Sequence, residues 1–295
     1  MADLAKQDKA LKSLMGDQRR EITKKVGQMT AGDSNEVKAA NRGRILSVKT
    51  ILLQANQRSQ PTFDVRTFLV PSRRIEASPA ELQVSGVFIY LLNIFTKTVI
   101  KQYIGEAGIS PEKAEPVGLL LANIFGQQAL QWQGHTYLID IFLAKYHRVC
   151  PVLFGIYGPS NTAAGRQRSG WLPQFTAQEN SERMTGLGAG FAAITLRNFS
   201  KSAAKNPMPV SLLWRSLATI VNTPAGHATE THYLVLKALL DPVYVQKLIR
   251  FYGDVGLALL RKAVLDFPAR SNSVAANAVK VLPDLYKRQI DLVLV

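Results

Sequence analysis

The sequence predicts an all-α protein, a HEAT-repeat-like helical solenoid of paired antiparallel helices. Apolar residues recur at three- and four-residue spacing along much of the 295-residue chain, as Ile45, Val48 and Leu52 do. Proline-containing breaks such as Asn222-Thr-Pro-Ala and Asp241-Pro-Val separate the helical stretches. Because long helices with short links pack as antiparallel neighbours, we expect stacked helix pairs. No sequence repeat of fixed period is present, so this architecture depends on helix length and pairing alone.

The first 80 residues contain two predicted helices and a connector. A charged helix is expected over residues 2–25 and a second over 35–57, with the break Thr30-Ala-Gly-Asp-Ser between them. Residues 61–79 form the connector. It includes a strand-like piece, residues 63–70, which ends at Pro71.

Three helices are predicted in the middle of the chain. Pro79-Ala-Glu-Leu places a proline and an acidic residue in a first turn, which is typical of a helix start. We therefore expect a helix from Pro79 to Ile104. Ser110-Pro-Glu-Lys begins the next in the same way, ending near Gln128, and a third covers residues 137–147.

A Gly/Ser/Pro-rich stretch follows, and a loop of this length in a compact domain is usually functional or disordered. Beyond it, helices are predicted over residues 178–199, 209–222, 227–240, 242–265 and 273–290. We therefore interpret residues 1–295 as a single elongated helical domain. Its predicted parts are an N-terminal charged helix (1–32), an N-terminal helical half (33–150), the loop (151–176) and a C-terminal helical half (177–295).

The charge balance favours a polyanionic partner. Lys and Arg outnumber Asp and Glu by 36 to 21, giving a formal net charge of +15. The single cysteine, Cys150, excludes a disulfide framework and a cysteine-built metal site within the chain. The most apolar run, residues 87–100, is interrupted by Asn93 and Lys97 and is too short to span a bilayer. We expect no membrane span and a location in the nucleus or cytoplasm.

No catalytic motif is present, and we expect no enzyme and no metal site. The sequence contains no Walker loop, nucleophile elbow or H-E-x-x-H. Gly186-Leu-Gly-Ala-Gly190 lies inside a helical pattern with no preceding strand, so close packing of another helix is favoured over phosphate binding. His227 and His232 are five residues apart, a spacing that does not place two ligands on one helical face. We expect both to be structural and Cys150 to be a buried, inert thiol.

Cations at helical spacing are the positive signal. Lys97 and Lys101 are one turn apart, and no carboxylate lies on their predicted helix before Glu106. Lys145 and Arg148 are three residues apart near a helix end, with His147 between them. Lys38, Arg42 and Lys49 share a face of the second helix. Two interpretations remain open: solvated helix faces, or pairs that converge into a pocket for a compact, highly charged anion.

Short motifs in the same order along nearly the whole chain resemble the C-terminal domain of the GLFG-lethal mRNA export factor family. They are residues 25–30, 149–152, 165–171, 181–187, 192–197, 209–224, 231–236 and 245–253. The resemblance implies a HEAT-like domain at the cytoplasmic face of the nuclear pore that binds a DEAD-box RNA helicase and stimulates its ATPase cycle. Inositol hexakisphosphate would be held between the two proteins.

The resemblance also implies further partners and a set of binding residues. The partners are the C-terminal segment of an FG nucleoporin and, only indirectly, RNA; a coiled-coil region would precede this domain. Carried over position by position, the family's inositol-phosphate-binding cations fall on Lys49, Lys97, Lys101, Lys145 and Arg148. The sequence departs from the family at Val149 and Leu172, where further cations are expected. His147, Arg166 and Arg168 are the additional candidates.

The alternative hypothesis is a basic helical RNA-binding or scaffold module. Residues 1–80 carry 15 basic and 8 acidic side chains. Direct RNA binding through them would depend steeply on salt and show little preference for a compact anion. No RNP-type or KH-type signature is present, and the aromatic residues are not interleaved with the cations. The helicase activator is therefore the preferred hypothesis.

Overall fold

The structure, a computed structural model, describes residues 8–73, 75–200, 202 and 204–294. Two short strands, β1 (Thr62–Asp64) and β2 (Gln83–Ser85), pair antiparallel with Phe63 opposite Val84. The rest of the regular structure in these residues is helical. The α-helices are α1 (Lys9–Gly27), α2 (Asn35–Asn56), α3 (Gly86–Gln102), α4 (Ala114–Gly126), α5 (Asp140–Val149), α6 (Ala163–Arg168), α7 (Ala177–Thr195), α8 (Val210–Val221), α9 (Glu230–Leu239), α10 (Pro242–Arg261), α11 (Val274–Lys280) and α12 (Leu282–Ile290).

Polar side chains fix where several of these helices begin. Ser34 accepts a hydrogen bond from the backbone nitrogen of Val37 at the start of α2. Thr176 and Glu179 form a capping box at the start of α7, each side chain accepting from the other residue's backbone N–H. Asp241 caps α10, in which Pro242 occupies the first turn. These caps satisfy backbone N–H groups that have no partner inside the helix.

The helix predicted to start at Pro79 starts at Gly86 instead, so that prediction is wrong. Ser78 and Glu81 do form the hydrogen bonds of a helix start, but the chain then enters β2 and pairs with β1. Gly86 marks the transition: its N–H donates to the Pro61 carbonyl at 2.7 Å, and a Cβ there would lie 2.6 Å from the Phe63 ring. Of the predicted strand 63–70, only Phe63 and Asp64 lie in β1, because residues 65–68 form a 3₁₀ turn.

Other predicted elements differ in detail. The predicted loop 151–176 contains a 3₁₀ turn over residues 151–154 and the six-residue helix α6. The predicted helix 273–290 is divided into α11 and α12 at Val281. Inside α10 the helical path breaks at Gly253, whose φ of 53° suits a residue without a side chain. The predicted N-terminal helix is α1 from Lys9 onward, and residues 2–7 lie outside the described part of the chain.

The chain forms two compact units that are discontinuous in sequence. Among the described residues, the first contains 8–102, 119–145 and 199–207, and the second contains 103–118, 146–198 and 208–294. Residues 103–118 and 146–150 of the predicted N-terminal half belong to the second unit, and residues 199–207 of the predicted C-terminal half belong to the first.

The core of the first unit lies between α1, α2 and α3. Ile22, Val48, Leu52 and Phe95 are fully buried there. The rings of Phe95 and Phe125 pack with their centroids 6.3 Å apart. Burial of these large apolar side chains is the main favourable contribution to folding of this unit.

The core of the second unit is organised by α7, which packs against α9 and against the π-helical turn of residues 103–107. A Cβ at Gly186 would lie 1.9 Å from the Tyr103 carbonyl oxygen, and one at Gly190 would lie 2.5 Å from the Tyr103 ring. A Cβ at Gly188 would lie 2.7 Å from Ala238 on α9. The glycines therefore serve close helix packing, which confirms the interpretation made from the sequence.

Candidate anion-binding site

Two lysines project from the exposed side of α3. Leu92, Phe95 and Val99 on this helix are buried, and their three- and four-residue spacing fixes which side faces the core. Lys97 and Lys101 are exposed and lie one turn apart on the opposite side. No carboxylate among the described residues lies within ion-pair distance of either.

Lys145 on α5 lies close to Lys97. Its side chain is half-buried, and its pKa is lowered from the ordinary lysine value, first by burial and second by the positive charge of Lys97. The two helices thus bring their cations near enough to repel each other. We call Lys97, Lys101 and Lys145 the lysine cluster. A patch of amines without acidic partners suits a compact anion that carries several charges.

The acidic residue closest in sequence to Lys145 is occupied elsewhere. Asp140 is buried, and its carboxylate accepts hydrogen bonds from the Arg73 guanidinium at 2.7 Å and from the Val70 backbone nitrogen at 2.9 Å. Arg73 also donates to the Tyr137 carbonyl at 3.0 Å. Asp140 therefore offsets the charge of Arg73 and leaves Lys145 uncompensated. Nothing in the sequence pattern pointed to this pair, whose members are 67 residues apart.

An apolar groove adjoins Lys145 within the same unit. It is a cavity of about 540 Å³ whose walls come from the segment 63–70, α3 and α5. Ile89 and Ile141 contribute buried aliphatic surface, Val70 and Ala144 contribute exposed surface, and Lys145 is part of the lining. Sequence reasoning missed this groove because its walls are distant in the chain.

The remaining candidates differ in their surroundings. Lys49 is half-buried on α2, which packs against α3, and no described residue forms an ion pair with it. Arg148 and His147 are exposed at the end of α5, and the His147 ring lies 5.1 Å from the Phe154 ring. Arg148 follows Lys145 by three residues on the same helix, as the spacing predicted.

Arg166 and Arg168 belong to α6 in the second unit. The Arg166 guanidinium lies 5.7 Å from the centre of the Trp171 ring, a cation–π arrangement, and Arg168 is exposed. Neither forms an ion pair with a carboxylate in the described part of the chain. Their substitution for the cations expected at positions 149 and 172 stays a prediction.

Two of the residues assigned structural roles, His232 and Cys150, are buried. His232 accepts a hydrogen bond at Nδ1 from the Thr229 backbone nitrogen at 3.1 Å, and burial lowers its pKa to about 4. Cys150 is fully buried, and burial raises the pKa of its thiol to about 12, so the reactive thiolate is suppressed. These positions confirm the predictions for His232 and Cys150. His227, which was also expected to be structural, is only half-buried, and its ring lies 5.6 Å from the Tyr157 ring.

The described part of the chain holds neither a candidate metal cluster nor a candidate membrane-spanning helix. Residues 8–73, 75–200, 202 and 204–294 contain no group of three or more His, Cys, Asp or Glu side chains placed to hold a metal ion. None of the helices in this part of the chain combines the length and apolar character that crossing a bilayer requires.

Comparison of the sequence with known proteins identifies relatives. Residues 1–264 match the family model described as GLE1-like protein. The chain is 44% identical over 302 residues to mRNA export factor GLE1 of Chaetomium thermophilum, an alignment that covers 99% of this chain and 56% of the relative. It is 28% identical over 214 residues to mRNA export factor GLE1 of Saccharomyces cerevisiae, covering 69% and 38%. The chain thus spans about half the length, or less, of these curated relatives.

Comparison of the structure with solved structures identifies the same fold. A chain in the structure of an S. cerevisiae Dbp5 C-terminal domain variant bound to Gle1 and IP6 superposes with a TM-score of 0.75 at 23% identity, covering 98% of this chain and 91% of that chain. A chain in a second such complex, with a Gle1 variant, gives a TM-score of 0.74 at 24% identity, covering 96% and 86%. The predicted all-α fold class is therefore confirmed.

Proposed function

The chain belongs to the GLE1-like protein family, and on that premise we propose that it is the part of an mRNA export factor that activates a DEAD-box RNA helicase. It binds the helicase, with inositol hexakisphosphate held between the two proteins, and stimulates the ATPase cycle of that partner. Its curated relatives are named mRNA export factors. The solved structures of similar fold contain Gle1 with the Dbp5 C-terminal domain and IP6, which is inositol hexakisphosphate.

The lysine cluster is the observation that carries this proposal. Lys97 and Lys145 come from different helices, repel each other and have no acidic partner among the described side chains. Such an arrangement is unfavourable until an anion neutralises it. If the lysines only solvated separate helix faces, cations of two helices would have no reason to lie close together. The donor set also fits the ligand, because lysine ammonium groups bind phosphate as point charges.

The cluster explains how one anion can make an interface conditional. Inositol hexakisphosphate carries phosphates on every side of a small ring. Lys97, Lys101 and Lys145 hold some of them, together with Lys49, while the others face cations of the helicase. Without the anion two basic surfaces repel each other, and with it they attract. Binding of this chain favours one helicase conformation only to the extent that the chain binds that conformation more tightly than the other.

The same family membership supports the cellular setting. We place the protein at the cytoplasmic face of the nuclear pore and in the cytoplasm, as a regulator and not as an enzyme. Its second partner is the C-terminal segment of an FG nucleoporin, and it meets RNA only through the helicase. The resemblance of the motifs in residues 181–253 to the export-factor family supports this assignment.

Calorimetric titration with inositol hexakisphosphate tests the site. We compare the wild-type chain with Lys97→Ala/Lys145→Ala and with the charge-matched control Lys12→Ala/Lys24→Ala, whose lysines are exposed on α1. One charge-assisted contact contributes about 1.5 kcal/mol, so we expect affinity to fall by about 100-fold in the first variant. The control keeps the site and loses the same net charge, so we expect a change of at most about threefold, from screened long-range attraction.

The same titration with a DEAD-box helicase present tests the bridge. We expect the anion to bind more tightly and ATP hydrolysis by the helicase to increase, with both effects lost in Lys97→Ala/Lys145→Ala. Equal, weak binding in all three proteins that disappears on addition of salt would contradict the proposal. The chain would then be the basic RNA-binding or scaffold module.

A further inference from the structure

The apolar groove beside the lysine cluster has no occupant within the described chain. Its cavity of about 540 Å³ lies within the range of about 300–1,000 Å³ that ligand-binding clefts occupy. Ile89 and Ile141 form buried walls. Val70 is 41% exposed at the groove, and Ala144 is also exposed there. The groove is therefore an accessible apolar cleft, and contact with water along its walls is unfavourable.

Its electrostatics select what can enter. Asp140 lines the groove, but its carboxylate is satisfied by Arg73 and the Val70 backbone nitrogen. Lys145 is the lining residue with an uncompensated charge, and it also belongs to the lysine cluster. The groove and the cluster are thus continuous through one side chain. A cationic side chain is therefore disfavoured in the groove, and an occupant places apolar surface against its walls while the anion neutralises Lys145.

An anion bridge alone makes an incomplete protein interface. Contacts through phosphates are polar and weaken as salt screens them. Specific interfaces usually add a desolvated centre in which a few apolar or aromatic side chains fill a pocket, surrounded by polar contacts. In the first unit the apolar groove supplies such a pocket immediately beside the proposed polar contacts.

We infer that the apolar groove receives an apolar or aromatic side chain of the DEAD-box helicase, next to the anion held by the lysine cluster. This inference rests on the proposed function, since the cluster defines where the helicase meets this chain. The anion supplies the conditional, salt-dependent part of the affinity. The groove supplies a part that persists at high salt and distinguishes the correct partner from other basic proteins able to share the anion.

Filling the groove tests the inference. Ala144→Trp adds a large side chain to the groove without removing a cation, and Ala39→Trp places the same side chain on the exposed surface of α2 as a control. With inositol hexakisphosphate present, we expect the dissociation constant for the helicase to rise at least about tenfold in Ala144→Trp, as for loss of an interface anchor. Affinity of the chain alone for the anion stays within about twofold in both variants, because no phosphate-binding group changes.

A second variant removes apolar surface instead of filling space. Val70→Ser keeps the backbone N–H that bonds Asp140. We expect it to weaken helicase binding most clearly at about 0.5 M salt, where ionic contacts are largely screened. If circular dichroism shows that Ala144→Trp is unfolded, Val70→Ser decides the question.

The outcomes separate the two levels of the proposal. Wild-type helicase affinity in folded Ala144→Trp and in Val70→Ser would overturn the inference and leave the proposed function intact. Loss of anion binding together with helicase binding in Ala144→Trp would also overturn it, because the groove would then support the anion site and not the partner. Absence of anion-dependent helicase binding in the wild-type chain would overturn the proposed function itself.

Discussion

Replacing Gly186 with alanine tests the close packing that holds α7 in the second unit. A Cβ at this position would lie 1.9 Å from the Tyr103 carbonyl oxygen and 2.6 Å from the Gly108 nitrogen. Both atoms belong to the backbone, so no side chain can rotate away and α7 must shift from the turn at residues 103–107. Overpacking of this kind costs about 1–3 kcal/mol or more. Removing a helical glycine stabilises by about 1 kcal/mol. Because both neighbours are backbone atoms, the upper end of that cost, about 3 kcal/mol, applies, and we expect Gly186→Ala to lower the free energy of unfolding by about 2 kcal/mol.

Gly43→Ala is the matched control. Gly43 lies in the interior of α2, is exposed, and a Cβ there would have no atom within 4 Å. Only the propensity contribution remains, so we expect stabilisation by about 0.5–1 kcal/mol. Urea titration followed by circular dichroism measures both variants, with the two midpoints moving in opposite directions. Equal stability of the two variants would refute the reasoning, since the neighbours of Gly186 would then have to yield at no cost.

Two further perturbations address buried polar groups in the second unit. Burial lowers the pKa of His232 to about 4 from an ordinary 6.5. The unfolded chain therefore binds a proton at this side chain below about pH 6.5, whereas the folded chain binds it only below about pH 4. Stability should therefore fall by up to about 3 kcal/mol as pH decreases through that window. Urea midpoints measured against pH should show the fall in wild type and a shallower one in His232→Gln; parallel curves would contradict this assignment. Glu115→Gln breaks the contacts of this half-buried carboxylate with Arg197 and Lys247, and we expect a loss of about 1–3 kcal/mol. Thermal melts measure the stability of both variants. Glu106→Gln, which loses an exposed ion pair, should lower the free energy of unfolding by less than about 1 kcal/mol. Equal losses in the two variants would contradict the role given to burial.

The local signals in the sequence were sufficient where a helix start is decided locally. Ser34, Thr176 and Asp241 cap the helices whose starts were predicted within one or two residues. At Pro79 the same kind of signal failed. Glu81 hydrogen-bonds Ser78 as at a helix start, yet residues 83–85 pair with residues 62–64. That pairing depends on a segment about twenty residues away along the chain, a distance over which periodicity and capping carry no information.

The candidate site divides in the same way. Lys97 and Lys101 share α3, and Lys145 and Arg148 share α5, as their spacing indicated. One helix determines the arrangement of each pair. That Lys97 and Lys145 approach each other depends on how two helices pack, which spacing alone left open. The apolar groove and the Arg73–Asp140 pair also require tertiary structure, since their residues come from separate segments. Lys49 enters the site only through the family resemblance.

The charge of the middle segment argues that the lysine cluster is not a by-product of general basicity. Residues 81–150 carry five basic and five acidic side chains, so the segment as a whole is neutral. Four of its acids are engaged with other groups: Glu81 with Ser78, Glu106 with Lys113, Glu115 with Arg197 and Lys247, and Asp140 with Arg73. Lys97, Lys101 and Lys145 are left without acidic partners in the described chain, although acids of the same segment were numerous enough to neutralise them. Such local separation of charge raises the potential at one place, which favours a small, highly charged anion over a long polyanion spread across the surface.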